Sequence, residues 1–289
     1  MLRALLKTMR PKQWAKNVFL LAAIVFDRKL TNTDAMLNTI IGIIVFSLVA
    51  SVVYIINDIA DVEADRQHPT KRNRPIAAGK LPVPVALTAA IILLVVSLPV
   101  AFWLSPLFGL ITLLYLALNL LYSKWFKHVV LLDIILLASL YVIRVAAGVA
   151  LIDVVRFSPW IYIFTTFLAL LMGAGKRRAE LSEIADGLNA QRRVLDGYTL
   201  SFLDQLITLA SGMTIITYSM YTFSAPNVPE NHAMMLTIPF IIYAIFRYQY
   251  LLQVDGTGSA PEEVVLSDRP LQIAVALWGF VVLVVFYFS

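Results

Sequence analysis

Between residues 54 and 80 the sequence reads YIINDIADVEADRQHPTKRNRPIAAGK, an acidic stretch that turns basic within a few residues. Asn57, Asp58, Asp61 and Asp65 come first, and Lys71, Arg72, Arg74 and Lys80 follow. At about 100° per residue, Asp58, Asp61 and Asp65 fall within about 60° of one another on a helix, with Tyr54 on the same stripe. Three carboxylates on one face beside a cluster of Lys and Arg suit a Mg²⁺–polyphosphate substrate. Mg²⁺ takes one or two carboxylates together with phosphate oxygens and waters, and basic side chains offset the remaining charge. Asn57, one turn before Asp61, is placed to orient a ligand carboxylate or to take a coordination position. The competing reading is a solvated acidic helix end followed by ordinary loop cations. Charges drawn so deep toward an apolar run are costly unless used, which argues against it. Glu63, about 140° from Asp58, is expected on the surface.

The elements that position this stretch are membrane helices. Of 289 residues, 60% are hydrophobic and 14% charged, with a mean hydropathy of +0.81, far outside the range of soluble domains. Apolar segments long enough to cross a bilayer lie near 13–30, 38–60, 84–104, 107–122, 129–151, 158–176, 200–223, 234–252 and 271–288. The expected fold is all-α, a polytopic membrane protein of about nine transmembrane helices, with residues 1–289 as one domain. The first span is the weakest, because Lys16 and Asn17 interrupt it, and the third and fourth meet at a tight Ser105-Pro106 turn. No internal repeat aligns convincingly. The N-terminal stretch MLRALLKTMRPKQWAKN is basic and amphipathic without a cleavage-site pattern, so the first helix is expected to remain as an anchor.

Lys and Arg set the orientation. Alternate loops hold Arg3, Lys7, Arg10, Lys12 and Lys16, then Arg66 to Lys80, then Lys124 and Lys127, then Lys176, Arg177, Arg178, Arg192 and Arg193, and finally Arg269. The other side has only Arg28, Lys29 and Arg156. The N-terminus and the acidic motif are therefore expected on the cytoplasmic side of a cell membrane. Membrane topology and anionic headgroups or substrates account for the net charge of +5, and no nucleic-acid partner is expected. The absence of Cys rules out disulfides, a thiolate nucleophile and Cys-based metal sites. No hydroxyl has the His/Asp company of a hydrolase triad, and no P-loop occurs.

The pattern N-D-x-x-D-x-x-x-D followed by RPIAAG resembles the signature of the UbiA-type intramembrane prenyltransferase superfamily, and the likeness covers nearly the whole chain. It implies helices around a central cavity under a cytoplasmic cap, Mg²⁺ at Asp58, Asp61 and Asp65, a lipid tail in the bilayer, and pyrophosphate as leaving group. Members that prenylate aromatic acceptors carry a second Asp-rich motif after the sixth span. This chain instead reads GAGKRRAELSEIADG, with Lys176, Glu180 and Glu183 on one helical face and Arg177 about 60° from Glu180. More cations and fewer aspartates suggest a donor with an additional phosphate, as in 5-phosphoribosyl 1-pyrophosphate. RPKQWAKN at 10–17, YSKWFKHVVLLD at 122–133 and GKRRAEL at 175–181 together resemble the decaprenyl-phosphate phosphoribosyltransferase branch, which acts in arabinogalactan and arabinan precursor synthesis. The resemblance implies catalytic and metal-binding roles for Asp58, Asp61 and Asp65. It implies substrate contacts at Asn57, Lys16, Lys71, Arg74, Tyr122, Lys127, Lys176, Arg177 and Glu180. The partners it implies are phosphoribosyl pyrophosphate, a polyprenyl phosphate and membrane lipids, and it leaves room for a homo-oligomer. Prenyl transfer to an aromatic acceptor is the second enzymatic reading. A transporter using Asp133 and Arg144 is a third, without the inverted repeat it would need.

Several residues have a plainer account. Tyr122 and Trp125 fit an aromatic belt and Lys124 a topology charge as well as a site, whereas Lys127 heads a span beside the aqueous face. Asp133 and Arg144, three turns apart on one seam, are expected to make structural ion pairs rather than serve a cavity. Arg247 fits a side chain snorkelling to the headgroups or one meeting a lipid phosphate. His68, between the acidic and basic halves, invites a general-base reading, but a phosphate acceptor needs none.

Overall fold

The helices form where apolar residues run uninterrupted, because buried or lipid-facing backbone must satisfy its own hydrogen bonds. The computed structural model describes residues 1–154, 157–185, 193–256, 264–265 and 267–288. Arg156, Arg192, Asp186 and Gly187, used above for topology or motif, lie outside the described residues. Among the described residues there is no strand, and eight helices are long and apolar enough to cross a membrane. They coincide with the last eight expected spans. The chain groups into two compact units, residues 1–25, 29–125 and 143–153 in one and residues 26–28, 126–142 and 154–289 in the other.

The first unit begins with the amphipathic helix α1 (Leu2–Met9), which ends at Arg10 in the left-handed conformation, φ 53°. The expected span 13–30 does not form one helix of spanning length. Pro11–Leu20 is a 3₁₀ helix, followed by a short α2 (Leu21–Phe26). Ten residues is long for 3₁₀ geometry, and polar anchors to the next helix accompany it. Buried Asn17 donates to Ser47 Oγ at 2.8 Å, and Trp14 Nε1 donates to Ser51 Oγ at 3.0 Å. Ser47 and Ser51, four residues apart, present one face of α3 (Thr33–Ala60), whose first turn is capped by Asn32 accepting from Ala35 N at 2.9 Å. A short α4 (Val62–Gln67) follows.

Next come α5 (Val83–Leu104) and α6 (Pro106–Lys124). The Ser105 hydroxyl accepts from Phe108 N and Pro106 opens α6, so the expected tight turn is an N-cap followed by a first-turn proline. Ile91, Ile92, Val95 and Val96 of α5 are each more than half exposed, an apolar surface that a bilayer covers and water does not. Phe46 of α3 packs on Tyr115 of α6, ring centroids 4.4 Å apart. The second half of α7 (Leu132–Val149) closes this unit. A Cβ at Gly148 would run into the Leu20 carbonyl, so only glycine allows that approach.

The second unit holds the start of α7, then α8 (Pro159–Ala185), α9 (Leu200–Ser224), α10 (Ile238–Gln253, continuing the 3₁₀ turn Ala233–Thr237) and α11 (Arg269–Phe288). α8 packs along α9, and α10 along both α9 and α11. Leu171, Leu203, Ile207, Ile245 and Leu252 lie in their shared core. α8 runs nine residues past the end of its expected span, so Arg177 and Glu180 are helical, as the reading of a shared helical face supposed. Asp268 accepts from Leu271 N at 2.8 Å at the start of α11 and takes both ends of the Arg247 fork, at 3.2 and 2.8 Å. Arg247 is therefore a helix-to-cap tie.

Candidate active site

In the first unit, α3 carries the acidic motif out of its apolar run. The helix stops at Ala60, Asp61 is the joint with φ −94° and ψ 7°, and α4 resumes at Val62. The expected helix is thus two elements joined at the middle carboxylate, with helical bonds from Asp61 N to Asn57 O at 2.9 Å and from Asp65 N to Asp61 O at 2.8 Å on either side of the joint. Asp58 is 2% exposed and Asp65 3%, while Asp61 is half-buried and Asn57 lies beside them on the last turn of α3. Glu63 faces solvent and pairs with Arg66 at 2.7 Å, as a surface residue would.

One guanidinium joins the two buried acids. Arg74 Nη1 lies 3.2 Å from Asp58 Oδ1 and 2.6 Å from Asp65 Oδ2. Its loop is fixed from below: Ile76 and Leu81 are buried in the core with Val52 and Ile55. Gly79, φ 72°, supplies the left-handed residue that turns the chain back. Arg10 supplies a second cation, with Nη2 2.5 Å from Asp58 Oδ1 and its guanidinium 5.0 Å over the Tyr54 ring. Sequence reasoning missed Arg10 as a site residue. It stands 48 positions from Asp58, and only the fold brings the end of α1 there. Lys71 is exposed near the same loop, and Lys16 is half-buried on the 3₁₀ segment. The His68 ring accepts from the backbone N–H of Thr70 and of Lys71 at 3.2 and 3.3 Å, which makes it a turn cap. Tyr122 is half-buried near the end of α6, and Lys124 rests over the exposed Trp125 ring at 4.6 Å, as belt residues do.

In the second unit, Lys176 is half-buried, whereas Arg177 is wholly buried. The Arg177 guanidinium donates from Nε to Asp133 Oδ2 at 2.6 Å and from Nη1 to Glu180. Asp133 also accepts the Tyr198 hydroxyl at 2.6 Å. Burial, then Asp133, pushes the Tyr198 phenol above its ordinary range, so it stays a donor. Arg178 ties α8 to Asp204 and to the Leu252 carbonyl. Lys127 is half-buried in the turn Phe126–His128. Asp133 is thus paired structurally, as expected. Arg144, in the first unit, donates instead to Asn17 Oδ1 at 3.0 Å and to the Tyr115 hydroxyl at 2.9 Å.

The motif implies Mg²⁺, and the residues fit it. Arg74 Nη1, a cationic nitrogen, contacts both Asp58 Oδ1 and Asp65 Oδ2, so two buried carboxylates converge on one positive charge. Among the described residues no three His, Cys, Asp or Glu side chains gather as a ready metal cage. Two carboxylates with the remaining positions left to substrate oxygens and water is the arrangement magnesium favours.

Comparison with known proteins places the chain. Residues 18–264 match the UbiA prenyltransferase family. A decaprenyl-phosphate phosphoribosyltransferase of Mycobacterium tuberculosis is 38% identical over 278 residues, covering 94% of this chain and 90% of the relative. The enzyme of the same name from Mycolicibacterium smegmatis is 36% identical, covering 99% and 93%. Among solved structures, a UbiA homolog from Archaeoglobus fulgidus bound to GPP and Mg²⁺ superposes with a TM-score of 0.74 at 22% identity, covering 98% of this chain and 99% of that one. With eight helices among its described residues long and apolar enough to cross a membrane, its acidic motif at the end of α3 and a family match over residues 18–264, the chain belongs to the UbiA prenyltransferase family, as a multi-pass membrane protein.

Proposed function

We propose that this protein transfers the 5-phosphoribosyl group from phosphoribosyl pyrophosphate to the phosphate of a decaprenyl-type polyprenyl phosphate. The observation that carries the reading is the pairing of two buried carboxylates, Asp58 and Asp65, with Arg10 and Arg74, a mixed-charge cluster suited to a metal-bound diphosphate. The phosphoribosyltransferase names of relatives aligned over nearly all of the chain support the sugar donor. The replacement of a second Asp-rich motif by Lys176, Arg177 and Glu180 supports it too.

A phosphate oxygen of the lipid attacks C1 of the ribose, the bond from C1 to the diphosphate oxygen breaks, and pyrophosphate leaves with the electron pair, inverting C1. Asp58, Asp65 and Asp61 would hold Mg²⁺, which offsets charge on the leaving diphosphate. Arg74, Arg10 and Lys71 donate to phosphate oxygens, and Lys127 and Lys176 balance further phosphate charge. Arg177 acts through Glu180, whose carboxylate it holds. Catalysis is then positioning and electrostatic stabilisation, with no covalent intermediate. The Lys and Arg bias supports a cytoplasmic position for the acidic motif, the side on which a soluble donor would enter.

The test offers purified protein labelled phosphoribosyl pyrophosphate with polyprenyl phosphate, and separately labelled prenyl diphosphate with aromatic acids. A Mg²⁺-dependent lipid-linked phosphoribosyl product is expected in the first mixture. Product in the second alone refutes the assignment in favour of prenyl transfer.

A further inference from the structure

Leu131 has φ 68°, a left-handed conformation that leucine, with neither a short polar side chain nor glycine's freedom, rarely takes. It sits just before α7, and its carbonyl accepts the first helical bonds, from Ile134 N at 3.1 Å and Ile135 N at 2.9 Å. Burial in a core does not hold it there: Val129, Val130, Leu131 and Leu132 are each more than a third exposed. Two contacts from the 3₁₀ turn Arg193–Gly197 and the residue after it do. Leu131 N–H donates to the Tyr198 hydroxyl oxygen at 2.7 Å. A Cβ on Gly197 would run into the Val130 side chain, so that backbone lies directly against residue 130. Tyr198 is itself fixed, 5% exposed, donating to Asp133, which is wholly buried and held by Arg177.

Four residues before Leu131 stands Lys127, in the turn Phe126–His128. Val129 N bonds Phe126 O at 3.1 Å and Asp133 N bonds Val129 O at 3.1 Å, so the short segment is stiff between its turn and the helix. A shift at residue 131 therefore passes to Lys127. We infer that Tyr198 is a positioning residue: its hydroxyl clamps the strained backbone of Leu131 and thereby places the Lys127 ammonium for donor phosphate. The inference rests on the phosphate role given to Lys127 above. The hydrogen bond to Asp133 fixes the Tyr198 hydroxyl for this contact, and the Lys127→Gln background separates the clamp from any effect through Asp133.

The experiment uses the full chain in nanodiscs, with steady-state kinetics in phosphoribosyl pyrophosphate and amide hydrogen exchange of the peptide covering 126–131. Tyr198→Phe keeps the ring and removes the hydroxyl. It is expected to raise KM for the donor about tenfold, the scale of one lost hydrogen bond to a charged group, while kcat changes less than about threefold. Exchange across 126–131 should speed up. In a Lys127→Gln background Tyr198→Phe should add nothing further, because both changes remove the same interaction. Leu131→Gly added to Tyr198→Phe should bring KM back to within about threefold of wild type, since glycine takes positive φ without a clamp. Gly197→Ala, which pushes on Val130, should reproduce the rise in KM should Tyr198→Phe not fold. Unchanged KM in Tyr198→Phe or Gly197→Ala, effects that multiply in the Lys127→Gln background, or no rescue by Leu131→Gly would overturn the inference. If wild type makes no lipid-linked phosphoribosyl product, the proposed function fails separately. The exchange rate then decides the clamp alone, with unchanged protection in Tyr198→Phe counting against it.

Discussion

Replacing Arg74 by Gln removes the charge that bridges Asp58 and Asp65 and leaves both carboxylates where they are. Asp58 keeps Arg10 at 2.5 Å, but Asp65, 3% exposed, loses its 2.6 Å contact. Removing one partner of a fully buried pair costs about 3–5 kcal/mol. Arg74 is 28% exposed at its side chain, and water reaching that side lowers the expectation to about 2–3 kcal/mol. For a folding unit of this size that is a fall of roughly 5–10 °C in the thermal midpoint. If the two carboxylates form a cation site, Mg²⁺ should substitute for the lost guanidinium. A ligand at a hundred times its Kd stabilises by about 2.7 kcal/mol, enough to recover most of the loss. The assay is intrinsic tryptophan fluorescence during heating, at one scan rate in one detergent, for wild type and Arg74→Gln across a Mg²⁺ titration. Arg74→Gln should melt lower without Mg²⁺ and gain more from it than wild type does. An unchanged midpoint, or equal Mg²⁺ increments in the two proteins, would refute the reasoning.

Asp58→Asn keeps the shape and an acceptor for Arg10 while removing the charge, so folded protein should lose at least about a hundredfold in turnover, the scale of deleting one electrostatic element of a site. Single-turnover assays check it, and retained turnover takes Asp58 out of the chemistry. At the start of α11, the Arg247 hydrogen bonds hold the Asp268 carboxyl below its ordinary range. A lowered folded pKa contributes stability above the unfolded value of about 3.9 and loses it as pH falls through the folded value. The midpoint gap between wild type and Asp268→Asn should therefore be steady from about pH 5 to 7 and close below about pH 4 in thermal scans. A gap undiminished near pH 3 would contradict it.

Most of the fold was legible because hydropathy reports a strong constraint. Helices such as Val83–Leu104 and Leu200–Ser224 start and stop within a residue or two of their expected limits, since an apolar backbone in lipid has to close its own hydrogen bonds. The first segment was less legible, because the partners of Asn17 and Trp14 on α3 belong to tertiary structure. In the site, periodicity brought Asp58 and Asp65 together correctly and isolated Glu63. It did not show the joint at Asp61, where α3 ends and α4 begins. Asp133 and Arg144 share a seam of one helix, yet periodicity gives a face and not the neighbour that meets it. Asp133 found Arg177, 44 positions away, and Arg144 found Asn17 and Tyr115. Arg10 escaped notice for the same reason.

The measurement closest to the central claim is stoichiometry. With purified protein, polyprenyl phosphate, phosphoribosyl pyrophosphate and Mg²⁺, pyrophosphate released and lipid-linked phosphoribosyl formed should rise together, one for one, and both should stop when the metal is chelated. Pyrophosphate released without a lipid-linked phosphoribosyl product, or a lipid product formed only from an allylic diphosphate, would contradict the account.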